Sequence, residues 1–419
     1  MLSLYFQNED PEFDLLFDSQ EEAQSYVDRY KQSVLADGSK VVAERVNFAP
    51  QPQSSMSVID QHTGYVKAIV GGRGEKTASL TLNRATDTTR QPGSTFKVVS
   101  TYAPALNEKG MTLATTFEDE PYNYPDGSPV ENASRTYGGT TTIRKAIQNS
   151  VNVVAVKCLE EVTPELGLQY LDNFGFTTLA HGTEADTDAN GTVWTDANLP
   201  LALGGLTHGV TNVELCAAYA AIANQGNYIE PLYYTKILDH SGNVLIEKTS
   251  AERSVIKEST AWLLTSAMED VVKNGTGTAC QLDNMTVAGK TGTTDDYNDL
   301  WFVGYTPYYT CAVWSGFDNN EKLPDDYSRD FHKDMWRKVM TRIHEGLDDK
   351  DFEMPSTVEK ISVCADTGLL PRSGCSVITE FFDVGDVPTD YCEEHFYEPV
   401  IPEYTYEETI IPEPSLTPE

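Results

Sequence analysis

The stretch RQPGSTFK, Arg90 to Lys97, sets a serine directly after a Pro-Gly turn and a lysine three residues further on. If the turn opens a helix, Ser94 lies in its first turn and Lys97 on the same face, because residues three apart are neighbours there. A nucleophile and an amine able to act as its base then converge. The helix start also presents unpaired N–H groups and the positive end of the macrodipole, which favour negative charge beside the serine oxygen. That arrangement suits acyl transfer. Two further groupings fit it. Ser150-Val-Asn152 interrupts two helical stretches, and there a hydroxyl can relay a proton while an amide holds a peptide group. Lys290-Thr-Gly292, followed by Thr293, lies on the strand-like run MTVAGKTGTT, where Gly289 and Gly292 bracket the lysine and mark close approach of another backbone or a ligand. These patterns are short, and two decoys share them: Ser254-Val-Ile-Lys257, at a strand end leading into a helix, and Ser241-Gly-Asn243, a hairpin turn.

The elements that must position these residues have legible punctuation. Alternating apolar runs at Met56 to Asp60 and Tyr65 to Val70 flank a turn at His62 to Gly64 and predict a hairpin. Thr163-Pro164 offers an N-cap and an N1 proline for a helix ending near Gly175, and Thr211 with Glu214 forms a capping-box pattern. A further helix is expected from Thr260 to Lys273, stopped by Asn274-Gly275. MTVAGKTGTT, DLWFVGYTP and YTCAVWSGF read as three successive strands. The expected fold is therefore α/β (α+β): an antiparallel sheet flanked by helices, with a helical subdomain inserted between its first and last strands. The Tyr-, Pro- and Gly-rich loop EDEPYNYPDGSPVENASRTYGG precedes the serine-asparagine pair and is expected to line a cleft. Expected boundaries are a connector at 1–46 carrying one short amphipathic helix near Glu21 to Leu35, a main domain at 47–345, a cysteine-containing extension at 346–396 and a disordered Pro/Glu-rich tail at 397–419.

The 419 residues carry 64 acidic against 30 basic side chains, a formal charge of -34, which repels phosphate backbones and argues against nucleic acid as a partner. No window approaches the roughly 18–20 consecutive apolar residues of a spanning helix, so any membrane attachment is expected to lie outside this chain. Of the seven cysteines, Cys158, Cys216, Cys280 and Cys311 sit singly in apolar runs and read as small buried hydrophobes. Cys364, Cys375 and Cys392 cluster near the end. With no Cys-x-x-Cys pair, and His395 alone nearby, a zinc site is the weaker reading and a disulfide among the three the expected one, given an oxidising compartment.

Ser-x-x-Lys, Ser-x-Asn and Lys-Thr-Gly, in that order, resemble the signatures of the penicillin-binding serine acyltransferases. Ser94, Ser150 and Lys290 run correctly with wide spacing, whereas Ser241 precedes Ser254 and both crowd the lysine strand. Beyond the motifs, NRATDTTRQPGSTFK, LALGGLTHGVTNVELCAAYAAIANQGNYIEP, VVKNGTGTA and DLWFVGYTPYYTCAVWSGFDN are similar to the transpeptidase half of bifunctional, class A penicillin-binding proteins, and CADTGLLPRSGC with VPTDYCEEH to the tail of such proteins in Gram-positive bacteria. The resemblance implies Ser94 as the acylated nucleophile and Lys97 as its base, with Lys290 as the neighbouring cation that lowers the pKa of Lys97. It implies Ser150 as proton relay to the departing amine and Asn152 as holder of the donor peptide. Thr291, Gly292 and Thr293 would form the strand that receives the terminal carboxylate, and the backbone N–H groups of Ser94 and Thr293 the oxyanion hole. The implied partners are peptidoglycan stem peptides, a D-Ala-D-Ala donor and an amine acceptor, with β-lactams as inhibitors, at an extracytoplasmic location. No cofactor or metal is implied for this chemistry. A β-lactamase is the nearest alternative, because Glu165-Leu-Gly-Leu-Gln169 superficially matches a deacylating motif, though Glu165 reads as a helix-start residue. A non-catalytic β-lactam sensor is the alternative of another class.

Overall fold

A computed structural model describes residues 2–44, 46–76, 79–294 and 297–395; the expected disordered tail lies outside the described residues. At its centre is a five-stranded, wholly antiparallel sheet. Strands β1 (Gln53–Asp60) and β2 (Tyr65–Val70) come from the start of the domain, and β3 (Ala288–Thr293), β4 (Asp299–Tyr305) and β5 (Thr310–Gly316) from its end, in the spatial order β3-β4-β5-β1-β2. The intervening chain carries most of the helices, as the sequence pattern implies, together with short two-stranded ribbons. Strands β4 and β5 are buried along their whole length, so both faces of the sheet must be covered.

Two cores cover them, and the period of two along each strand divides the side chains between them. Trp301, Val303, Tyr305, Ala312 and Trp314 join the large helical core. Phe302, Cys311 and Val313 face the other way, against Trp336 and Met340 of the helix Phe331–Ile343. Trp336 donates its indole N–H to the Cys311 carbonyl at 2.9 Å, so the polar edge of a large buried ring is satisfied by a strand.

Helix ends follow the capping chemistry of the sequence. Among the helices, α1 is Gln20–Val34, α2 Ile143–Asn149, α3 Asn152–Val162, α4 Pro164–Asn173, α5 Asn212–Ala223 and α6 Glu258–Asn274. The Thr211–Glu214 capping box forms at the start of α5, and Thr163 accepts from Leu166 N–H at the start of α4. The N-terminal segment holds one helix more than the single one expected. A second helix, Leu2–Gln7, buries Phe6 among Phe13, Tyr26 and Tyr5, with Phe17 beside Tyr26, because five aromatic rings in 26 residues suffice for a small cluster.

After Phe331–Ile343 the chain forms the hairpin β6 (Val358–Cys364) and β7 (Val377–Asp383). It docks on α2 and α6: Arg144 pairs with Glu380 and Asp270, Ser259 hydrogen-bonds Asp383, and the Trp262 and Phe381 rings meet edge to face at 4.7 Å. The expectation of a disulfide here is corrected. Cys364, Cys375 and Cys392 are all free, because the hairpin and the following turn arrange their sulfurs around one nitrogen of His395.

Candidate active site

Ser94 sits in a single 3-10 turn, Gly93–Thr95, which runs on through a wide, π-type turn, Lys97–Tyr102, into the short helix Ala103–Glu108. Side chains fasten its carbonyls: Thr95 Oγ1 donates to the Pro92 carbonyl at 2.8 Å, the Tyr219 hydroxyl to the Thr95 carbonyl at 2.7 Å and the Trp301 indole N–H to the Gln91 carbonyl at 2.9 Å; close backbone approach does the rest. Gly93 has φ +56, and a Cβ there would stand 2.8 Å from the Thr293 carbonyl oxygen. A Cβ on Gly204, itself at φ +78, would lie 2.4 Å from the Gly93 oxygen, and one on Gly292 2.5 Å from the Pro92 oxygen. Three glycines thus let three chain segments touch around the serine, at positions where any side chain would push them apart. Gly292 was legible as a close-approach glycine; Gly204, a helix-end glycine outside the three signatures, was not.

Register explains where the strand residues point. Lys290 pairs with Val303 and Gly292 with Trp301, residues that face the helical core, so the Lys290 side chain enters that core. Its amine donates to Ser150 Oγ at 2.8 Å. Thr291, on the opposite face, shares a 2.7 Å hydrogen bond with the Thr276 hydroxyl. Thr293, exposed at the strand end, lines the cleft.

Ser150 closes α2 in the left-handed conformation, φ 57 and ψ 41, and Val151 then begins α3. Serine rarely adopts this backbone, and such strain clusters where function requires it. The helix-helix turn and the motif are here the same object. Lys97 donates to the Ser150 carbonyl at 2.6 Å, to Asn152 Oδ1 at 2.5 Å and to Ser150 Oγ at 3.3 Å. None of these bonds goes to Ser94. Lys97, Ser150, Asn152 and Lys290 therefore form one hydrogen-bonded group, and Ser94 opens with Asn152, Thr293 and Thr294 into a cleft of about 520 Å3.

Both lysines are fully buried. Burial, and then the charge of Lys290, hold the Lys97 amine well below the usual lysine range. Burial alone lowers Lys290 to about 7. Two ammonium groups sharing Ser150 are costly, so the arrangement favours at least one neutral amine near neutral pH.

The long loop supplies parts that the motifs did not reveal. Tyr124 lines the cleft. Asn132, buried, accepts from the N–H groups of Asn152 at 2.9 Å and Val153 at 3.2 Å, and is itself held by Asp119 at 2.7 Å. It caps α3 from a distance, because Val151 at the N-cap has no side chain to do so. Trp194, Asp196 and Asp299 complete the wall. The decoys fall elsewhere: Ser254 ends a short strand, and Ser241 and Asn243 donate backbone N–H to Asp239 in a hairpin turn. Glu165 is exposed at the start of α4 and is not part of the cleft wall.

Residues 55–341 match the family described as penicillin binding protein transpeptidase domain, and residues 354–397 match penicillin-binding protein 1A, C-terminal domain. The chain is 33% identical over 382 residues to penicillin-binding protein 1A of Clostridium botulinum, covering 87% of this chain and 44% of that protein. It is 30% identical over 370 residues to penicillin-binding protein 1A/1B of Bacillus subtilis, covering 83% and 38%. It thus spans less than half the length of these relatives. The PonA1 protein of Mycobacterium tuberculosis, solved in complex with penicillin V, superposes with a TM-score of 0.62 at 25% identity, covering 80% of this chain and 86% of that one. Penicillin-binding protein 1A of Haemophilus influenzae shares the fold, with a TM-score of 0.68 at 23% identity over 83% of this chain and 55% of that one. With its sheet, its signatures and its matched residues in agreement, the chain belongs to the penicillin-binding protein transpeptidase family.

Proposed function

We propose that this chain is a serine D,D-transpeptidase that cross-links peptidoglycan stem peptides through an acyl-enzyme on Ser94. The observation that carries this is the convergence of buried Lys97 and Lys290 with half-buried Ser150 and Asn152 into one hydrogen-bonded group, Asn152 lining the same cleft as Ser94. In the reaction, Ser94 Oγ attacks the carbonyl carbon between the last two D-Ala residues and gives up its proton to neutral Lys97. The Lys97 amine turns from Ser150 to Ser94 as substrate arrives; catalytic hydrogen bonds often close only in the complex. The backbone N–H groups of Ser94 and Thr293 receive the oxyanion, each such donor being worth about 3 kcal/mol. The C–N bond then breaks, and Ser150, charged with a proton through the lysine pair, passes it to the departing D-Ala amine. An amine of a neighbouring stem attacks the ester and regenerates the serine.

Asn152 holds the donor peptide, and Thr293, with Lys290 and Thr291 behind it, receives the terminal carboxylate. Thr291 is tied to Thr276, so Thr293 makes the direct contact. Penicillin enters as a mimic of the donor and acylates the same oxygen. The extracytoplasmic face of a membrane is the place where such a substrate is met; no helix among the described residues is long and apolar enough to cross one. The exposed position of Glu165 favours this reading over a β-lactamase, because no carboxylate from α4 reaches the cleft to activate water.

Fluorescent penicillin tests the proposal. The chain should be labelled and Ser94→Ala should not, and mass spectrometry over hours should show a persistent adduct. Equal labelling of both proteins overturns the mechanism, and rapid loss of the adduct with hydrolysed drug makes the protein a β-lactamase.

A further inference from the structure

We propose that Cys364, Cys375, Cys392 and His395 form a structural zinc site that ties the end of the described chain to the β6–β7 hairpin. This is a site separate from the acyl chemistry, and its argument begins with strand pairing. Cys364 closes β6 opposite Val377, and Cys375 stands two residues before that strand, so the hairpin brings both sulfurs to its base. The chain then returns. Leu370 N–H donates to the Asp390 carbonyl at 2.9 Å and Cys392 N–H to the Leu370 carbonyl at 2.8 Å, which lays Cys392 beside the hairpin loop. The short spacing of Cys392 and His395 delivers the fourth group from the same turn.

The four ligand atoms lie within 4.8 Å of one another, and among the described residues this is the group of His, Cys, Asp and Glu side chains able to hold an ion. His395 Nδ1 stands 3.2 Å from the sulfur of Cys392, 3.5 Å from that of Cys364 and 3.9 Å from that of Cys375. Around tetrahedral zinc, bonds of about 2.3 Å to sulfur and about 2.05 Å to nitrogen put a sulfur and a nitrogen roughly 3.5 Å apart. The observed separations bracket that edge. One imidazole nitrogen can serve a single hydrogen bond, so three sulfurs around it are better explained by a shared cation than by hydrogen bonding.

The surroundings complete the site. His395 Nε2 is 3.4 Å from Asp366 Oδ2, which keeps the proton on Nε2 and leaves the Nδ1 lone pair for the metal, the usual carboxylate–histidine relation behind a metal ligand. Arg372 N–H donates to the Cys375 sulfur at 3.3 Å, a bond that favours thiolate. Binding displaces the thiol protons to solvent and involves no oxidation. At the cysteine end of the hairpin the buried apolar cluster is only Val363 and Phe382 with Ala114 of the main domain, whereas Val358 joins the main core at the far end, so the loop between Cys364 and Cys392 gains from a staple.

The test uses the full chain, purified under reducing conditions without chelator. Elemental analysis should find one equivalent of zinc, and cobalt exchange should give thiolate-to-cobalt charge transfer with the intense visible bands of a tetrahedral ion. Cys392→Ser and His395→Gln should lose the metal, while Cys280→Ser, in the opposite core, should keep it. A chelator should lower the unfolding midpoint of the wild type and leave that of Cys392→Ser unmoved. If these variants fold poorly, the wild-type metal content and cobalt spectrum still decide. Absence of stoichiometric metal from the wild type after zinc addition, or a disulfide among the three cysteines in the freshly purified protein with no metal bound, overturns the proposal.

Discussion

The side-chain oxygen of Asn132 accepts the backbone N–H of Asn152 at 2.9 Å, so a loop residue twenty positions upstream sets the start of the helix that carries the serine-asparagine pair. Asn132→Ala removes the cap from α3 and leaves Asp119 without its amide partner. Loss of such a cap costs about 1–2 kcal/mol, read from denaturant unfolding. Because Asn152 also contacts Lys97, acylation by penicillin should slow by at least about tenfold while Ser94 stays labelled at long times, the mark of a positioning residue.

Gly204→Ala tests the backbone clamp. The new Cβ would meet the Gly93 carbonyl in a left-handed position that costs about 1–2 kcal/mol by itself. The Ser94 turn must shift, and stopped-flow acylation should fall by about two orders of magnitude, since displacements near 1 Å cost that much. An unchanged rate would remove the clamp from the mechanism.

The lysine pair predicts a pH dependence. In the proposed mechanism Lys97 acts as base only when neutral, so the acylation rate should fall on the acid side of neutrality. Lys290→Met removes the neighbouring charge that helps to lower Lys97, after burial itself. The acid limb should then move to higher pH, on top of a lower plateau from the lost Ser150 contact. Stability follows the same groups. The Lys290 pKa is about 7 when folded against 10.5 for an ordinary lysine, so between those values the unfolded chain binds more protons and stability rises with pH. Below about pH 7 the cost of the buried charge is fully present. Unfolding midpoints of Lys290→Met relative to wild type should therefore improve as pH falls from about 10 to 7 and then level off.

Arg144, held by Asp270 within the main domain, joins the extension to it through Glu380, whose side chain is only 3% exposed. Arg144→Ala leaves the Glu380 carboxylate buried and unpaired, a loss of about 3–5 kcal/mol. Arg144→Ala with Glu380→Gln should recover part of it, measured as a difference in denaturant midpoint.

Local chemistry was readable before the fold was known. The capping box at Thr211 and the Thr163-Pro164 start depend on residues within one turn, and the sheet followed from alternating apolar runs. The three signatures could be ordered along the chain, but their meeting depends on contacts such as Lys290 with Ser150, 140 positions apart, which no local pattern contains. Asn132 and Gly204 were hidden for the same reason: each acts on a distant backbone, and an asparagine in a loop or a glycine at a helix end has ample local explanation. The cysteine tail misled because composition counts thiols, whereas strand register decides which atom each thiol faces.

Gly93, Gly204 and Gly292 also bear on how this catalyst can vary. At these three points main chain meets main chain around Ser94, where a side chain of any size would push the segments apart. The wall at Trp194 is different, since that ring is half exposed at the cleft rim. Inherited change at that rim can therefore alter which molecules are admitted while the Ser94 turn keeps its place, so under the proposed mechanism selectivity can drift without reactivity.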